Sequence, residues 1–166
     1  DAVARGSRTI LVLPTRNAEL PPHPFDAGLL PRIDAEIAPR RLLGERLHVS
    51  PPMYREVDVA VALVVDADAV PEAVRAEAET VLRQRLWDLP RAPGQPVQPW
   101  PAGRTVTVGE IETLMASLAP VIRVTDCRIG VAGAQLSSQA IPLDDREIAL
   151  ARQIAVEVVR NEEGTP

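Results

Sequence analysis

"YREVDVAVALVVDAD", Tyr54 to Asp68, is the stretch on which the fold turns. Val57, Val59, Val61, Leu63 and Val65 share one parity, so a strand places all five on one face. The other face carries Glu56 and Asp58 first, then Ala60, Ala62 and Val64. It passes from wet to covered along its length, as a strand entering a sheet interior does. A long central strand is the expectation, and the flanking segments must supply what covers it.

Downstream, "AVPEAVRAEAETVLRQRLWDL" places Val70, Val74, Val81, Leu82 and Leu86 on one helical stripe. Pro71 is tolerated there because the first turn leaves its amide hydrogens unpaired in any case. "PRAPGQPVQPWPAG", Pro90 to Gly103, holds five prolines and two glycines, so it reads as a stiff loop. A helix then starts sharply. Thr107 and Glu110 have the spacing of a capping box, and Val106 with Ile111 that of a hydrophobic staple. Ile111, Leu114, Met115 and Leu118 make the buried stripe, and Pro120 bounds the helix.

"VIRVTDCRIGVAG" reads as the next strand, but its apolar parity changes between Ile122/Val124 and Cys127/Ile129/Val131. One extra residue near Thr125–Asp126 restores the face, which predicts a β-bulge. Gly133 to Ala140 is a turn or loop. "DDREIALARQIAVEVVRN" is ambiguous: its first half could be helix, while Ile154, Val156 and Val158 alternate as a strand over about 153–160.

Upstream, "RTILVLP" is a short buried strand and Thr15 to Pro24 a polar, proline-rich loop. Leu29, Leu30, Ile33 and Ile37 recur at helical spacing, with Asp26 as cap and Pro39 as far boundary. Gly44 makes a turn and a short strand follows that ends before Pro51. The fold expected is α+β, two small mixed modules with helices on mainly antiparallel sheets. The division is 1–52, a βαβ module, and 53–166, an α+β module carrying the 90–103 loop.

Composition narrows the function classes. The 166 residues are 46% apolar and 25% charged, with only 2% aromatic, so aliphatic side chains build the core. Net charge is -5 with scattered arginines and no lysine, which is no footprint for nucleic acid. No apolar run reaches the roughly 18–20 residues of a membrane helix, and no signal-peptide pattern is present. The chain starts at Asp1 without methionine, as a piece of a longer polypeptide would.

Residues with reactive chemistry form no recognisable set. His23 and His48 lie in no metal-ligand pattern with Cys127, the single cysteine, which reads as a small buried hydrophobe. Asp144, Asp145 and Glu147 could meet a cation but read as a solvated turn, since a calcium loop needs more oxygen ligands at set spacing. "GVAGAQ" lacks phosphate-loop spacing, and no serine sits in a nucleophile elbow. No catalytic, cofactor or metal site is expected. Trp100 and Arg104 are the candidate partner-interface residues: tryptophan anchors interfaces, and arginine pairs bidentately with carboxylates. The alternative for Trp100 is that it folds back onto its own domain.

"RRLLGERLHVSPPMYREVDVAVALVV", "LRQRLWDLP" and "QPWPAGRTVTVGEIETLMASLAPVIRVTDCRI" together resemble the C-terminal region of baseplate J-like proteins. These are wedge subunits of contractile phage tails, tailocins and extracellular contractile injection systems. The family's turn is matched by Leu86 to Pro90, and its Trp-Pro-Phe-Gly-Arg motif by Trp100 to Arg104, with Ala102 in place of phenylalanine. Gly109 and Glu110 stand for a Ser-Glu pair, and Ala119, Pro120 and Val121 for the lead into the next strand. The resemblance covers about residues 5–160 and departs at Ala102 and over Gln135 to Arg152.

The resemblance implies a structural protein without an active site, assembled in the bacterial cytoplasm into a phage-tail-like particle. Its implied partners are other wedge and hub proteins and sheath-proximal components, in a ring, with coupling to sheath contraction. It implies no cofactor. The rival expectations are a small ligand-binding regulatory module and, behind it, an enzyme with an unfamiliar site.

Overall fold

The computed structural model describes residues 7–12, 28–41, 46–86 and 98–161. The expected Asp26 cap, the Gly44 turn, the 15–24 loop, His23, residues 90–97 of the proline loop and the tail beyond 161 lie outside the described residues. The chain divides into two compact units, Asp1–Met53 and Tyr54–Pro166.

In the first unit, β1 (Ser7–Leu11) and β2 (Arg46–Ser50) pair in parallel, from Ser7 opposite Arg46 to Leu11 opposite Ser50. Helix α1 (Leu29–Ile37) lies between them in sequence and packs on β2. Gly28 precedes it without a side-chain cap, and its end tightens into a 3-10 turn over Ala38–Arg40. Pro39 explains the tightening, because it has no amide hydrogen to carry the α-helical ladder on. The Arg41 guanidinium pairs with Asp34, which fastens the turn to the helix.

In the second unit, β3 (Met53–Val65) is the middle of a three-stranded sheet ordered β4-β3-β5. Val57, Val59, Val61, Leu63 and Val65 are all buried on one face, as the alternation requires. Strand β4 (Val121–Val131) runs antiparallel to β3, and the register shows where its parity changes. Cys127 faces Val61 and Asp126 faces Ala62, but Leu63 faces Val124, so Thr125 is the extra residue. The expected bulge is there, and the Thr125 hydroxyl donates to the Ala62 carbonyl at 3.2 Å. A second irregularity passes over Ile122, leaving Val121 opposite Val65. Ile122 is therefore not on the core face with Val124, and it is 49% exposed. Two bulges in one edge strand also blunt it against pairing with other chains.

Strand β5 (Glu147–Arg160) is longer than the alternation at 153–160 suggests, and its first half is extended, not helical. Ile148, Ala149 and Leu150 are consecutive and all buried. A strand covered on both faces has no period of two, so its opening residues carry no strand signature. Along its length Glu147 meets Arg55, Arg152 meets Asp58, and the Asn161 amide reaches the Val65 carbonyl. These contacts advance together along both strands, so β5 runs parallel to β3.

Helices α2 (Pro71–Arg85) and α3 (Val108–Ala116) contribute to the same core. The α2 stripe is Val74, Ala78 and Leu82, followed by Leu86; Val70, expected on it, is 58% exposed because it precedes the first turn. At α3 the staple forms, with Val106 and Ile111 both fully buried. The capping box does not form its backbone bonds. The Thr107 hydroxyl meets the Glu110 carboxylate at 3.2 Å, not an amide, because Glu110 is turned toward Arg104. Helix α3 ends at Ala116, and the Ser117 and Leu118 amides bond back three residues to Leu114 and Met115. The whole is α+β with mixed sheets.

Candidate functional site

The residues singled out by the sequence meet where the proline loop returns to the sheet. The Trp100 amide donates to the Arg85 carbonyl at 2.7 Å, which docks the loop on the C-terminal end of α2. The indole N–H donates to the Arg104 carbonyl at 2.9 Å, closing the turn through Pro101 to Gly103. The Arg85 guanidinium lies 4.8 Å from the ring centroid and that of Arg104 5.9 Å, both within cation–π range. Arg85 also donates to the Gln98 carbonyl at 2.7 Å and the Pro99 carbonyl at 3.2 Å. Burial draws the Arg85 pKa down, opposed by the Glu110 charge and aided to a lesser degree by that of Arg104.

Trp100 is only 2% exposed and belongs to the core of its own unit. Of the two readings of the indole, the inward one is the observed one. Arg104 is different: its side chain is 53% exposed, held by Glu110 at 2.5 Å. Tryptophan is thus the internal anchor and Arg104 the outward group. Arg85, which sequence reasoning does not single out, is the residue that joins loop to helix. Its position in the last turn of α2, just ahead of the proline loop, is the available sign.

Gly103 explains the rest of the motif. Its φ of +72° is in the left-handed region, and its amide donates to the Glu147 carbonyl at 3.0 Å. A Cβ there would stand 3.1 Å from the Asp145 Cα. Gly103→Ala therefore meets both a strained backbone and a backbone neighbour that must give way, and we expect a loss of about 1–3 kcal/mol. A urea unfolding curve with an unchanged midpoint would overturn this.

Two further carboxylates are held at the β3–β5 seam. Asp58, expected on a wet face, is buried; Arg152 donates to it at 3.0 and 2.9 Å, the Gln153 amide at 3.2 Å and the Gly133 amide at 3.3 Å. Burial alone would raise its pKa, but these hydrogen bonds and the Arg152 charge together bring it below the usual carboxylate value. Glu147 is likewise buried, correcting the solvated-turn reading of Asp144, Asp145 and Glu147. It accepts the Asp144 amide at 3.0 Å and pairs with Arg55 at 2.5 Å. The Asp144 hydrogen bond, opposed by burial and aided by Arg55, lowers its pKa. Asp144 and Asp145 themselves are exposed.

His48 is exposed on β2, opposite Thr9. Cys127 is buried in β4, and burial, with Glu112 and Asp126 nearby, pushes its thiol up to about 12. Such a thiol stays protonated at neutral pH and makes a poor nucleophile. Among the described residues no group of three His, Cys, Asp or Glu side chains is placed to hold a metal ion. Among the same residues no helix is long and apolar enough to cross a membrane.

No protein-family model matches the chain, and no curated protein matches it. Among solved structures, it is similar to a chain of the anti-feeding prophage (AFP) baseplate, determined by cryo-EM with six-fold symmetrisation. The TM-score is 0.55 at 14% identity, over 95% of this chain and 31% of that one. The chain thus spans about a third of the length of the baseplate chain. At that identity the likeness is one of fold, and fold alone does not assign function.

Proposed function

We propose that the chain is part of a baseplate subunit of a contractile tail or injection system and acts by protein–protein assembly, without catalysis. The observation that carries this is the fold similarity to an AFP baseplate chain over 95% of the sequence. The baseplate J-like resemblance of Trp100 to Arg104 and its flanking segments supports the same reading from the residues. In this proposal the chain contributes to the wedge, neighbouring wedge and hub proteins are its partners, and copies are arranged in a ring. Assembly takes place in the bacterial cytoplasm. Trp100 and Gly103 stiffen the loop internally and so present Arg104 already ordered, which lowers the entropy lost when a partner carboxylate docks.

The test is to express the tagged subunit in its source bacterium and purify sheathed particles. The tag is expected at one end of the particles by immunogold labelling. Arg104→Glu, a surface change, is expected to leave the chain folded and to deplete it from the particles. A tag found only in particle-free fractions overturns the baseplate reading; an Arg104→Glu subunit incorporated at wild-type levels overturns the role of Arg104 alone.

A further inference from the structure

Strand β5 is an edge of its sheet, with β3 as its one neighbour among the described residues. Two bonds fix which way its main chain faces. The Asn161 amide donates to the Val65 carbonyl at 2.9 Å and the Gln153 amide to the Asp58 carboxylate at 3.2 Å, both on β3. Main-chain groups alternate sides along a strand, so residues 153, 155, 157 and 159 face β3 while Ile154, Val156 and Val158 face away. On that outer side the Val156 carbonyl accepts the Arg75 Nε of α2 at 3.1 Å, a side chain standing where a further strand's amide would be. A cavity of about 500 Å³ opens beside it, reaching from Ala155, Val156 and Glu157 to Arg75 and Glu79. Leu86 and Gln98, which flank residues 87–97, both lie at the other end of α2, about 15 Å along the helix from Arg75.

A row of alternating amides and carbonyls is complemented by another extended chain. The β4 edge is not equivalent: it carries two bulges, and its Ile129 amide and carbonyl are both taken by Ser137. We propose that the outer edge of β5, over residues 154–158, receives an extended segment of a neighbouring subunit as a further strand, with Arg75 swung aside from the Val156 carbonyl. The source of that segment rests on the baseplate reading. Its chemistry follows from the face that Glu157 and Val159 share. Glu157 is exposed and has no ion-pair partner among the described residues, and Val159 is 52% exposed. A basic residue beside Glu157, with an apolar one two positions along beside Val159, complements both.

The experiment compares the free 166-residue chain with tagged chain in sheathed particles purified from the source bacterium. Hydrogen exchange read by mass spectrometry is expected to be about tenfold slower or more over residues 153–160 in the particles. Val158→Pro removes an amide that faces away from β3, so it is expected to keep a cooperative urea transition and to be depleted from particles about tenfold. Ala155→Pro removes an amide aimed at β3 and is expected to lower the urea midpoint further than Val158→Pro. Glu157→Lys, a surface change, is expected to fold normally and to be depleted as well. If Val158→Pro loses its transition, the exchange measurement decides. Absence of the wild-type chain from the particles overturns the baseplate reading and this proposal with it. With the wild-type chain present, unchanged exchange at 153–160 or a folded Val158→Pro chain incorporated at wild-type level overturns the strand addition alone. So does Ala155→Pro as the milder of the two proline variants, and Glu157→Lys at wild-type level overturns the basic residue.

Discussion

Trp100→Ala is expected to lower the unfolding free energy by about 3–5 kcal/mol, the range for removing a large aromatic from a packed core. The indole is 2% exposed, so its loss leaves a cavity where α2, the loop and α3 converge. The same change strips Arg85 of the ring it stacks on and frees the Arg104 carbonyl from its indole partner. Trp100→Phe keeps an aromatic face and loses chiefly the N–H bond, so about 1 kcal/mol is expected. Urea unfolding followed by far-ultraviolet circular dichroism measures both. A loss below about 1 kcal/mol for the alanine variant would show that the indole is not core, and would return Trp100 to the interface.

The second large effect is at Asp58. Removing this carboxylate leaves Arg152 and the Gly133 and Gln153 amides without their shared acceptor, and Asp58→Ala is expected to cost about 2–3 kcal/mol. The cost falls below the usual range for breaking a buried pair because the Arg152 side chain is 39% exposed and can turn to water. The pairing also sets a pH dependence. Asp58 and Glu147 both have folded-state pKa values below their ordinary 3.8 and 4.5. In acid the unfolded chain therefore binds more protons than the folded one. Their contribution is complete above those ordinary values and is lost as pH falls through the lower folded ones. The urea midpoint should decline below about pH 4.5, and Asp58→Asn with Glu147→Gln should flatten that decline. An equal slope in the double variant would show that other groups carry the acid sensitivity.

Much of the second unit is legible in the residues alone. The alternation of Val57 to Val65 marks the central strand and its buried face because β3 is covered strongly on one side only. The parity change in β4 locates Thr125 as the bulge because side chains repeat strictly every two residues, so a single slip is visible. The start of α3 is legible through Val106 and Ile111, since a staple needs only residues close in sequence. Asp58 in β3 and Glu147 at the start of β5 mislead for one shared reason. Asp58 is buried because Arg152, 94 residues away, comes to it, and Glu147 because Arg55 does. Local patterning registers hydrophobicity, not the arrival of a distant countercharge.

By itself, the sequence determined the strand β3 and its inward face, the helical stripe of Val74 and Leu82, and the bulge at Thr125. Each depends on periodicity, which acts over a few residues. Only the tertiary structure decided that β5 lies alongside β3 over its whole length, that Asp58 and Glu147 are interior, and that Trp100 points inward while Arg104 points out. Those outcomes depend on which segments meet, and the apposition of Arg85, Trp100, Arg104 and Glu110 exists only once α2 and α3 have closed on the same sheet.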